Sequence, residues 1–526
     1  PSTRLQPADV MQLALGVASL PQDSHAAHAG GGAGGWAMPP MPPNIGMLPA
    51  EMALRPGVMP YLPDSDQLSA LSGARPREVI RLADGDTLDL EARPVRRTIN
   101  GRSFVMYGFN GQYPGPLLWV PQRATIIVNF SNRIDWPSTI HWHGLRLDNR
   151  FDGVPHVTQD PVPPGGTFRY VVHFPDAGIY WYHPHHREDI QQDLGLYGNL
   201  MVRPARPDYW SPAHREEVLM LDDLLIGESS LIPYGREGAT HALMGRFGNV
   251  MLVNGEPRYE LSVKRGEVVR FFLTNVSNTR TLNLSFTGLP IKVVGSDVGN
   301  FEREDWARSA VIAPAERYVV HVRFDQPGDV YFLNQVQAID HLFGRFFTEI
   351  DTLGVIRVDG AGPPAPSAPA TAFETLRTDT AATADIARHR AHFDRSPDKE
   401  LVLTLSADSL PLISRQLMML DSAYFHPVEW VGTMPMMNWA ATQREVDWVL
   451  TDRATGKRNM QIDWRFRVGD VVKIRLVNER RTLHAMQHPI HLHGQRFLVL
   501  ARNGVPSDNL VWKDTVLLPA GGTADI

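Results

Sequence analysis

The 526-residue chain contains no cysteine. Disulfides, thiolate nucleophiles and thiolate metal ligands are therefore excluded from these residues. The absence does not identify a cellular compartment, because it removes the residue whose pairing would report on one.

The sequence also lacks an excess of basic residues and a long apolar run. Its formal net charge is −6 and its pI is about 6.4, whereas nucleic acid binding requires clustered lysine and arginine. The most apolar stretch near the N-terminus, VMQLALGVASL at residues 10–20, is shorter than the roughly 20 residues that span a bilayer. We therefore expect neither a nucleic acid partner nor a membrane span.

Glycine and proline are abundant, with 43 and 42 residues. Many short strands joined by turns accommodate both, whereas long helices tolerate neither in their interior. The apolar content of 43 % supports a globular protein, and the length exceeds one hydrophobic core, at roughly 150 residues per domain. The composition predicts an all-β protein of about three domains.

Two sequence elements recur three times along the chain. The first is a turn followed by apolar and β-branched residues and then asparagine: VPQRATIIVNFSN at 120–132, VKRGEVVRFFLTNVSN at 263–278 and FRVGDVVKIRLVNE at 466–479. The second begins with proline or glycine and continues with alternating apolar residues: VPPGGTFRYVVHF from 162, IAPAERYVVHVRF from 312 and LLPAGGTADI from 517. Alternation of this kind is typical of half-buried strands, so we predict one strand pair in each of three domains.

The spacing of these elements predicts the domain boundaries. We expect an irregular Gly/Pro/Met-rich extension at residues 1–76, followed by domain one at 77–206 and domain two at 207–360. A Pro/Ala linker at 361–372 then precedes domain three at 373–526.

Histidines are concentrated in three short motifs, TIHWHG, GIYWYHPHH and HPIHLHG. They contain His141 and His143, His183 and His185, and His488, His491 and His493. In a strand, residues two apart lie on one face, so each H-x-H pair can direct both imidazoles to a common point. His186 is predicted to lie on the opposite face from the pair before it.

A single H-x-H pair is more often a hydrogen-bonded core or surface pair than a metal site. Domain two is an internal control, because its repeat places Asn283 and Ser285 at one H-x-H position, and Leu333 and Gln335 at the other. The fold can therefore form without these histidines. Their presence in domains one and three predicts a metal site between those domains, and imidazole ligands without carboxylate suit copper or zinc.

The repeat also predicts a motif that the sequence does not contain. In domain one the second H-x-H begins 16 residues after Thr167, and the equivalent of Thr167 in domain three is Thr523. The counterpart would fall near position 539, beyond Ile526, so we expect a further H-x-H there.

Taken together, the motifs HWHG, WYHPH, HPIHLHG, LVNGEP (252–257) and KDTV (513–516) make residues 77–526 resemble a three-domain multicopper oxidase. The family includes laccases and copper-resistance oxidases. The resemblance implies three cupredoxin-like Greek-key β-barrels, four copper ions in the complete protein, and oxidation of a small molecule coupled to reduction of O2 to water.

Carried over by motif, the resemblance assigns the histidines to copper types. His141 and His491 would bind the type 2 copper, and His488 would bind the type 1 copper. The binuclear type 3 pair would be held by His143, His183, His185 and His493. The family's H-C-H motif, which supplies the type 1 cysteine and two further type 3 ligands, is absent from these residues, so we expect H-C-H beyond position 526. His156, His173 and His186 match no ligand position and are predicted to be structural.

Asp152, in DNRFDGVP, occupies the position where the family has an acid near the copper cluster, which implies a catalytic role in proton relay. An Asp before Gly153 is also typical of a turn. The sequence favours the two interpretations equally.

The substrate is less sharply indicated. The resemblance implies a laccase-type oxidase of phenols, and the methionines indicate the alternative, a cuprous oxidase in copper tolerance, because a thioether suits Cu(I). The methionines in question are Met38, Met41, Met47, Met418, Met419, Met434, Met436 and Met437; for those from 418 to 437 we favour apolar packing. A non-enzymatic copper-binding protein is the third possibility if the chain ends at Ile526.

The cellular location follows from the same resemblance. We expect a periplasmic or secreted protein, and a chain that begins at Pro1 is compatible with a removed export signal or with a trimmed chain.

Overall fold

The computed structural model describes residues 58–340, 345–360, 365, 367–406, 428–482 and 485–526. These residues form 31 strands and few helices, so the all-β prediction is confirmed. Most of the N-terminal extension, with Met38, Met41 and Met47, lies outside the described residues, and so do Met418 and Met419.

Domain one consists of two packed sheets. Its strands are β1 Val79–Arg81, β2 Thr87–Ile99, β3 Arg102–Phe109, β4 Leu117–Pro121, β5 Thr125–Asn132, β6 His141–His143, β7 Thr167–His173, β8 Gly178–His183 and β9 Gly198–Arg203. One sheet has the order β1-β4-β9-β8-β6 and the other β3-β2-β5-β7. The core between them is rich in aromatic side chains, including the fully buried Trp142 and Tyr182.

Domain two is also built from two sheets. Its strands are β10 Arg215–Leu224, β11 Val250–Val253, β12 Tyr259–Lys264, β13 Glu267–Asn275, β14 Leu282–Phe286, β15 Ile291–Ser296, β16 Gly299–Ala307, β17 Ala310–Ile312, β18 Arg317–Phe324, β19 Gly328–Asp340 and β20 Arg345–Asp359. The sheet orders are β11-β10-β13-β18-β15-β16 and β12-β20-β19-β14-β17.

Domain three has shorter strands: β21 Lys399–Ser406, β22 Val428–Val431, β23 Asp447–Asp452, β24 Ile474–Asn478, β25 His488–His491, β26 Phe497–Leu498, β27 Ala501–Arg502, β28 Val505–Pro506, β29 Trp512–Lys513, β30 Thr515–Leu518 and β31 Thr523–Asp525. One sheet has the order β23-β21-β24-β31-β27-β28, and β25 pairs with β30. Strand β22 instead joins the domain-two sheet beside β19.

The helices are short. They are α1 Glu188–Gln191, α2 Gly238–Met244, α3 Ser367–Phe373, α4 Thr380–Ala387 and α5 Pro435–Ala440, with 3-10 turns at Ser65–Gln67, Asn149–Phe151, Arg390–His392, Gln443–Glu445 and Asn459–Gln461. Helix α3 begins within the predicted linker, where alanine favours helix, and ends one residue beyond it at Phe373, which packs on Trp306. No helix among the described residues is long and apolar enough to cross a membrane.

The predicted repeat of strand pairs is confirmed by the pairing. Strands β5 and β7, β13 and β18, and β24 and β31 are antiparallel neighbours. Each first member also has a parallel partner that precedes it in the chain, namely β2, β10 and β21. The same three-strand unit therefore occurs in all three domains.

The residues of domain two that correspond to the H-x-H pairs are on strands that pair in a different register from the strands of domain one. In domain one His141 lies opposite His183. In domain two Ser285, rather than Asn283, lies opposite Leu333. A bulge between Phe332 and Leu333 accompanies this difference, which a gap-free alignment of the sequence does not reveal.

Candidate metal centre

Three strand segments bring the predicted ligands together between domains one and three. Strands β6 and β8 pair so that His141 faces His183. Strand β25 ends at His491, and His493 lies two residues beyond it. The predicted convergence of H-x-H pairs is therefore observed, although His185 and His493 lie just past the ends of their strands.

Six imidazoles form one cluster around His141. The ring centroid of His141 lies 5.5 Å from the ring centroid of His143, 5.4 Å from that of His183 and 5.5 Å from that of His185. The rings of domain three are equally near, with His491 at 5.7 Å and His493 at 4.2 Å. Residues far apart in sequence and from two domains thus share one site.

The ring nitrogens are close enough to share metal ions. Those of His141, His143 and His183 lie within 4.8 Å of one another, as do those of His141, His491 and His493. The Nε2 atoms of His185 and His493 are 3.3 Å apart. Two nitrogens bound tetrahedrally to one ion at about 2.0 Å would be separated by about 3.3 Å.

Hydrogen bonds orient three of the rings in the same way. The Nδ1 atoms of His141, His183 and His491 each donate over 2.8 Å to a backbone carbonyl oxygen, that of Asp152, Pro184 and Asp514 respectively. This contact sets the tautomer and leaves Nε2 as the ligand atom.

All three of these Nε2 atoms are buried and have no hydrogen-bond partner. Buried polar atoms normally have one, and a metal ion bound at this point would satisfy the orphaned nitrogens of His141, His183 and His491. Imidazole donors fit copper, and the residues present therefore fit the metal that the family resemblance implies.

His143 is held by its other nitrogen. Its Nε2 lies 3.1 Å from Thr515 Oγ1 and 3.2 Å from Asp514 Oδ1. Donation from Nε2 leaves Nδ1 as the ligand atom of this ring. His185 is oriented from outside the cluster by Glu188, whose Oε1 lies 3.0 Å from His185 Nδ1.

Burial keeps most of these imidazoles neutral. It lowers the pKa of His141, His143 and His183, and it lowers the pKa of His491 to about 3. Neighbouring imidazoles contribute to each shift because a second positive charge would be repelled. The neutral ring is the form that binds metal, so these four imidazoles are in the metal-binding form at neutral pH.

Asp152 contacts the cluster from both its backbone and its side chain. It follows the 3-10 turn Asn149–Phe151, and Gly153 continues the turn with φ +77°. Its carboxylate accepts a hydrogen bond from His493 Nδ1 over 2.9 Å, and its Oδ1 lies 3.3 Å from His141 Nδ1. The turn interpretation and the interpretation as an acid near the cluster therefore apply to the same residue.

His488 lies apart from the six-histidine cluster. Its Nδ1 donates to the carbonyl oxygen of Met486 over 3.0 Å, and its ring packs against Trp448 at 4.4 Å. Burial lowers its pKa to about 4. Within the described part of the chain, His488 belongs to no group of three metal-binding side chains.

His156, His173 and His186, which were predicted to be structural, are also outside the metal-binding groups formed by described residues. His173 lies on β7, where its Nδ1 is 2.9 Å from Thr125 Oγ1, and His156 is exposed beside Asp160. His186 directly follows the ligand candidate His185.

The contact of Asp514 with the histidine cluster was not predicted from the sequence. The motif KDTV contributed to the resemblance, but the sequence alone indicated no partner for its aspartate. In the structure Asp514 is fully buried, it contacts His143 and His491, and it forms a two-pronged ion pair with Arg317 of domain two.

Gly144 is required by this arrangement. Its φ is +86°, and a methyl group there would overlap Asp514 Oδ2 and lie 2.8 Å from Arg317 Nη2. We predict that Gly144→Ala destabilises the protein by about 1–3 kcal/mol more than Gly85→Ala. Gly85 is a matched control because it also has φ +86° but no atom within 4 Å of the added methyl. Denaturant unfolding of both variants measures the difference, and equal losses of stability would contradict the prediction.

Comparison with known families identifies all three domains. Profiles described as multicopper oxidase match residues 91–207, 219–361 and 432–526. The six-histidine cluster joins the first and third of the matched regions.

Relatives with laccase names are similar over most of the chain. Laccase-1 of Cryptococcus neoformans var. neoformans is 27 % identical over 472 residues, which are 80 % of this chain and 72 % of the relative. Laccase-3 of Oryza sativa subsp. japonica is 26 % identical over 464 residues, 78 % and 79 % of the two chains. Copper resistance protein A of Pseudomonas syringae pv. tomato is 34 % identical over 144 residues, 27 % of this chain and 23 % of that protein.

Solved structures share the fold. The multicopper oxidase from Campylobacter jejuni, described as a metallo-oxidase, has a TM-score of 0.62 at 19 % identity and covers 91 % of this chain and 92 % of its own. Lac15 from a marine microbial metagenome has a TM-score of 0.54 at 28 % identity, with 84 % and 92 % covered. The expected cupredoxin-like β domains are confirmed by this likeness.

Proposed function

The chain belongs to the multicopper oxidase family, and from this premise we propose that it is a laccase-type oxidase of phenols or similar small reductants. Membership of the family makes it a copper-dependent oxidoreductase, which counts against the non-enzymatic alternative. O2 is the electron acceptor in this proposal, and water is the product.

The observation that carries the proposal is the convergence of six imidazoles between domains one and three. His141 and His491 would hold the type 2 copper, while His143, His183, His185 and His493 would hold the type 3 pair. His488 would be a type 1 ligand. Copper held by these residues would supply one-electron redox chemistry at the type 1 site and four-electron reduction of O2 at the cluster.

The chain's own residues prepare this site in three ways. Hydrogen bonds from Nδ1 to backbone carbonyls hold His141 and His491 in the tautomer that binds metal. Burial of the His141, His143 and His183 rings excludes bulk water from the domain-one side of the cluster. The Asp152 carboxylate, which accepts a hydrogen bond from His493 Nδ1, would accept and pass on protons that the reduction of O2 consumes.

The substrate is supported by the relatives. The two laccases match about four fifths of the chain, which favours phenols. Similarity to copper resistance protein A favours Cu(I) as the second candidate. Met437 is buried in an apolar cluster against which Met434 packs, so these two methionines support packing rather than delivery of Cu(I). A periplasmic or secreted location remains part of the proposal.

Steady-state kinetics distinguishes the two substrates. We expect the copper-loaded protein to oxidise 2,6-dimethoxyphenol with O2 uptake and without added Cu(II), because phenol would deliver electrons to the enzyme directly. The measurement is kcat/KM for the phenol and for Cu(I) in an oxygen electrode. Efficient Cu(I) oxidation, together with phenol turnover that depends on added copper, would favour the cuprous oxidase.

A further inference from the structure

The side chain of Arg317, from domain two, reaches the surroundings of the histidine cluster, although no metal-binding group of described residues includes a domain-two ligand. Arg317, the first residue of β18, is fully buried. Its Nη1 and Nη2 donate to Asp514 Oδ1 and Oδ2 over 2.6 and 2.5 Å. Its Nε donates over 3.0 Å to the carbonyl oxygen of Ile179, on β8 of domain one. The guanidinium therefore contacts both domains that provide the histidines.

Asp514, the partner of Arg317, also contacts two rings of the cluster. Its Oδ1 lies 3.2 Å from His143 Nε2, and its carbonyl oxygen accepts a hydrogen bond from His491 Nδ1 over 2.8 Å. The hydroxyl of Thr515 completes the link, since it lies 3.1 Å from His143 Nε2 and 3.2 Å from His491 Nδ1. The two rings stack at 3.8 Å with an interplanar angle of 21°. Asp514 thus contacts the His143 ring of domain one through its carboxylate and the His491 ring of domain three through its backbone carbonyl.

A second set of contacts holds the backbone at Asp514. Asp297 of domain two accepts hydrogen bonds from the backbone N–H groups of Asp514 and Thr515, both over 3.3 Å. Asp297 Oδ2 also lies 3.1 Å from Lys513 Nζ, and Asp297 Oδ1 accepts from the backbone N–H of Arg317 over 2.8 Å. The start of β30 is therefore fastened to domain two by both side-chain and backbone contacts.

The two-oxygen contact with Asp514 fits an arginine better than a lysine. A planar guanidinium forms two parallel hydrogen bonds with a carboxylate, whereas the lysine ammonium is a point charge on a flexible stem. The neighbouring Gly144 leaves space for this planar pair. The ion pair of Arg317 and Asp514 therefore involves all three domains, whereas an ordinary interdomain ion pair involves only two.

We propose that Arg317 is a positioning residue for the copper cluster: through Asp514 it fixes the ring orientations of His143 and His491. The inference rests on the proposed role of these histidines as copper ligands. The competing explanation is that Arg317 only joins domains two and three, as a buried interdomain ion pair.

Arg280 provides a matched control. It is also a buried arginine of domain two, and it pairs with Asp223 of its own domain and Glu429 of domain three. Among the described residues, its polar side-chain contacts are with Asp223, Gly248, Asp351 and Glu429 and include no histidine of the cluster. Arg317→Lys and Arg280→Lys therefore both replace a buried interdomain arginine while keeping the charge, but only the first touches a partner of the ligands.

The experiment measures Cu(II) binding to the full chain and its thermal unfolding. Cu(II) affinity is obtained by competition with a chelator, and the nitrogen hyperfine pattern of bound Cu(II) by electron paramagnetic resonance. We expect Arg317→Lys to weaken Cu(II) binding by about 10- to 100-fold, as for other partners that orient metal ligands, and to alter the hyperfine pattern. Arg280→Lys is expected to lower Tm alone.

Three other outcomes are decisive. If Arg317→Lys lowers Tm but binds Cu(II) with wild-type affinity and spectrum, Arg317 is only an interdomain contact and the inference is wrong. If the wild-type chain itself binds no Cu(II) at the cluster, the proposed function fails, and the inference with it. If Arg317→Lys does not fold, Asp514→Asn replaces it, and wild-type Cu(II) binding by that variant overturns the inference.

Discussion

Replacing His185 by alanine is expected to lower the rate of O2 reduction by more than 100-fold. The ring belongs to the cluster, and its Nε2 lies 3.3 Å from His493 Nε2, so its loss removes one of the six candidate ligands. Loss of a residue that merely orients a ligand costs about 10- to 100-fold in affinity or activity. Loss of the ligand itself should cost more, and the copper content per chain should fall.

His186→Ala is the matched control, because His186 is the next residue and lies outside the metal-binding groups of the described residues. Copper per chain is measured by atomic spectroscopy, and activity by oxygen uptake with a phenol. We expect His186→Ala to keep wild-type copper content. Equal copper content and equal activity in the two variants would show that His185 is not a ligand.

Replacing Asp152 by asparagine is expected to lower kcat by about 10²- to 10⁴-fold, the range typical of a lost general acid or base, while copper stays bound. The asparagine side-chain oxygen can still accept the hydrogen bond from His493 Nδ1, but an amide cannot carry a proton. Although burial by itself raises the pKa of Asp152, contacts with His141 and His493 hold this pKa well below its usual range. The wild-type group is therefore an ionised acceptor at neutral pH.

Asp160→Asn is the control for Asp152→Asn. Asp160 belongs to the same loop region, but its carboxylate is exposed and is paired only with the exposed His156. The measurement is kcat for O2 uptake together with copper content. If Asp152→Asn loses copper in proportion to activity, Asp152 holds ligands in place and relays no proton. If it keeps full activity, neither role applies.

The prediction of the fold and of the candidate ligands from sequence depended on local rules. Alternation along a strand is a property of the backbone itself, so HWH and HLH could be predicted to direct pairs of imidazoles to one face. The threefold recurrence of the strand pairs then indicated which domains share the site. The pairing of β5 with β7, β13 with β18 and β24 with β31 agrees with that recurrence.

Only the tertiary structure decided which groups surround the ligands. Arg317 and Asp514 are 197 residues apart and belong to different domains, and no local pattern links them. The choice of ligand nitrogen in each ring also depended on folding, because the carbonyl that accepts the Nδ1 hydrogen bond of His141 comes from a loop 11 residues away. The chain's own sequence therefore determined the ligand type and the strand pairs, through backbone periodicity. The packing of three domains determined how each ring is held, because that depends on contacts between distant segments.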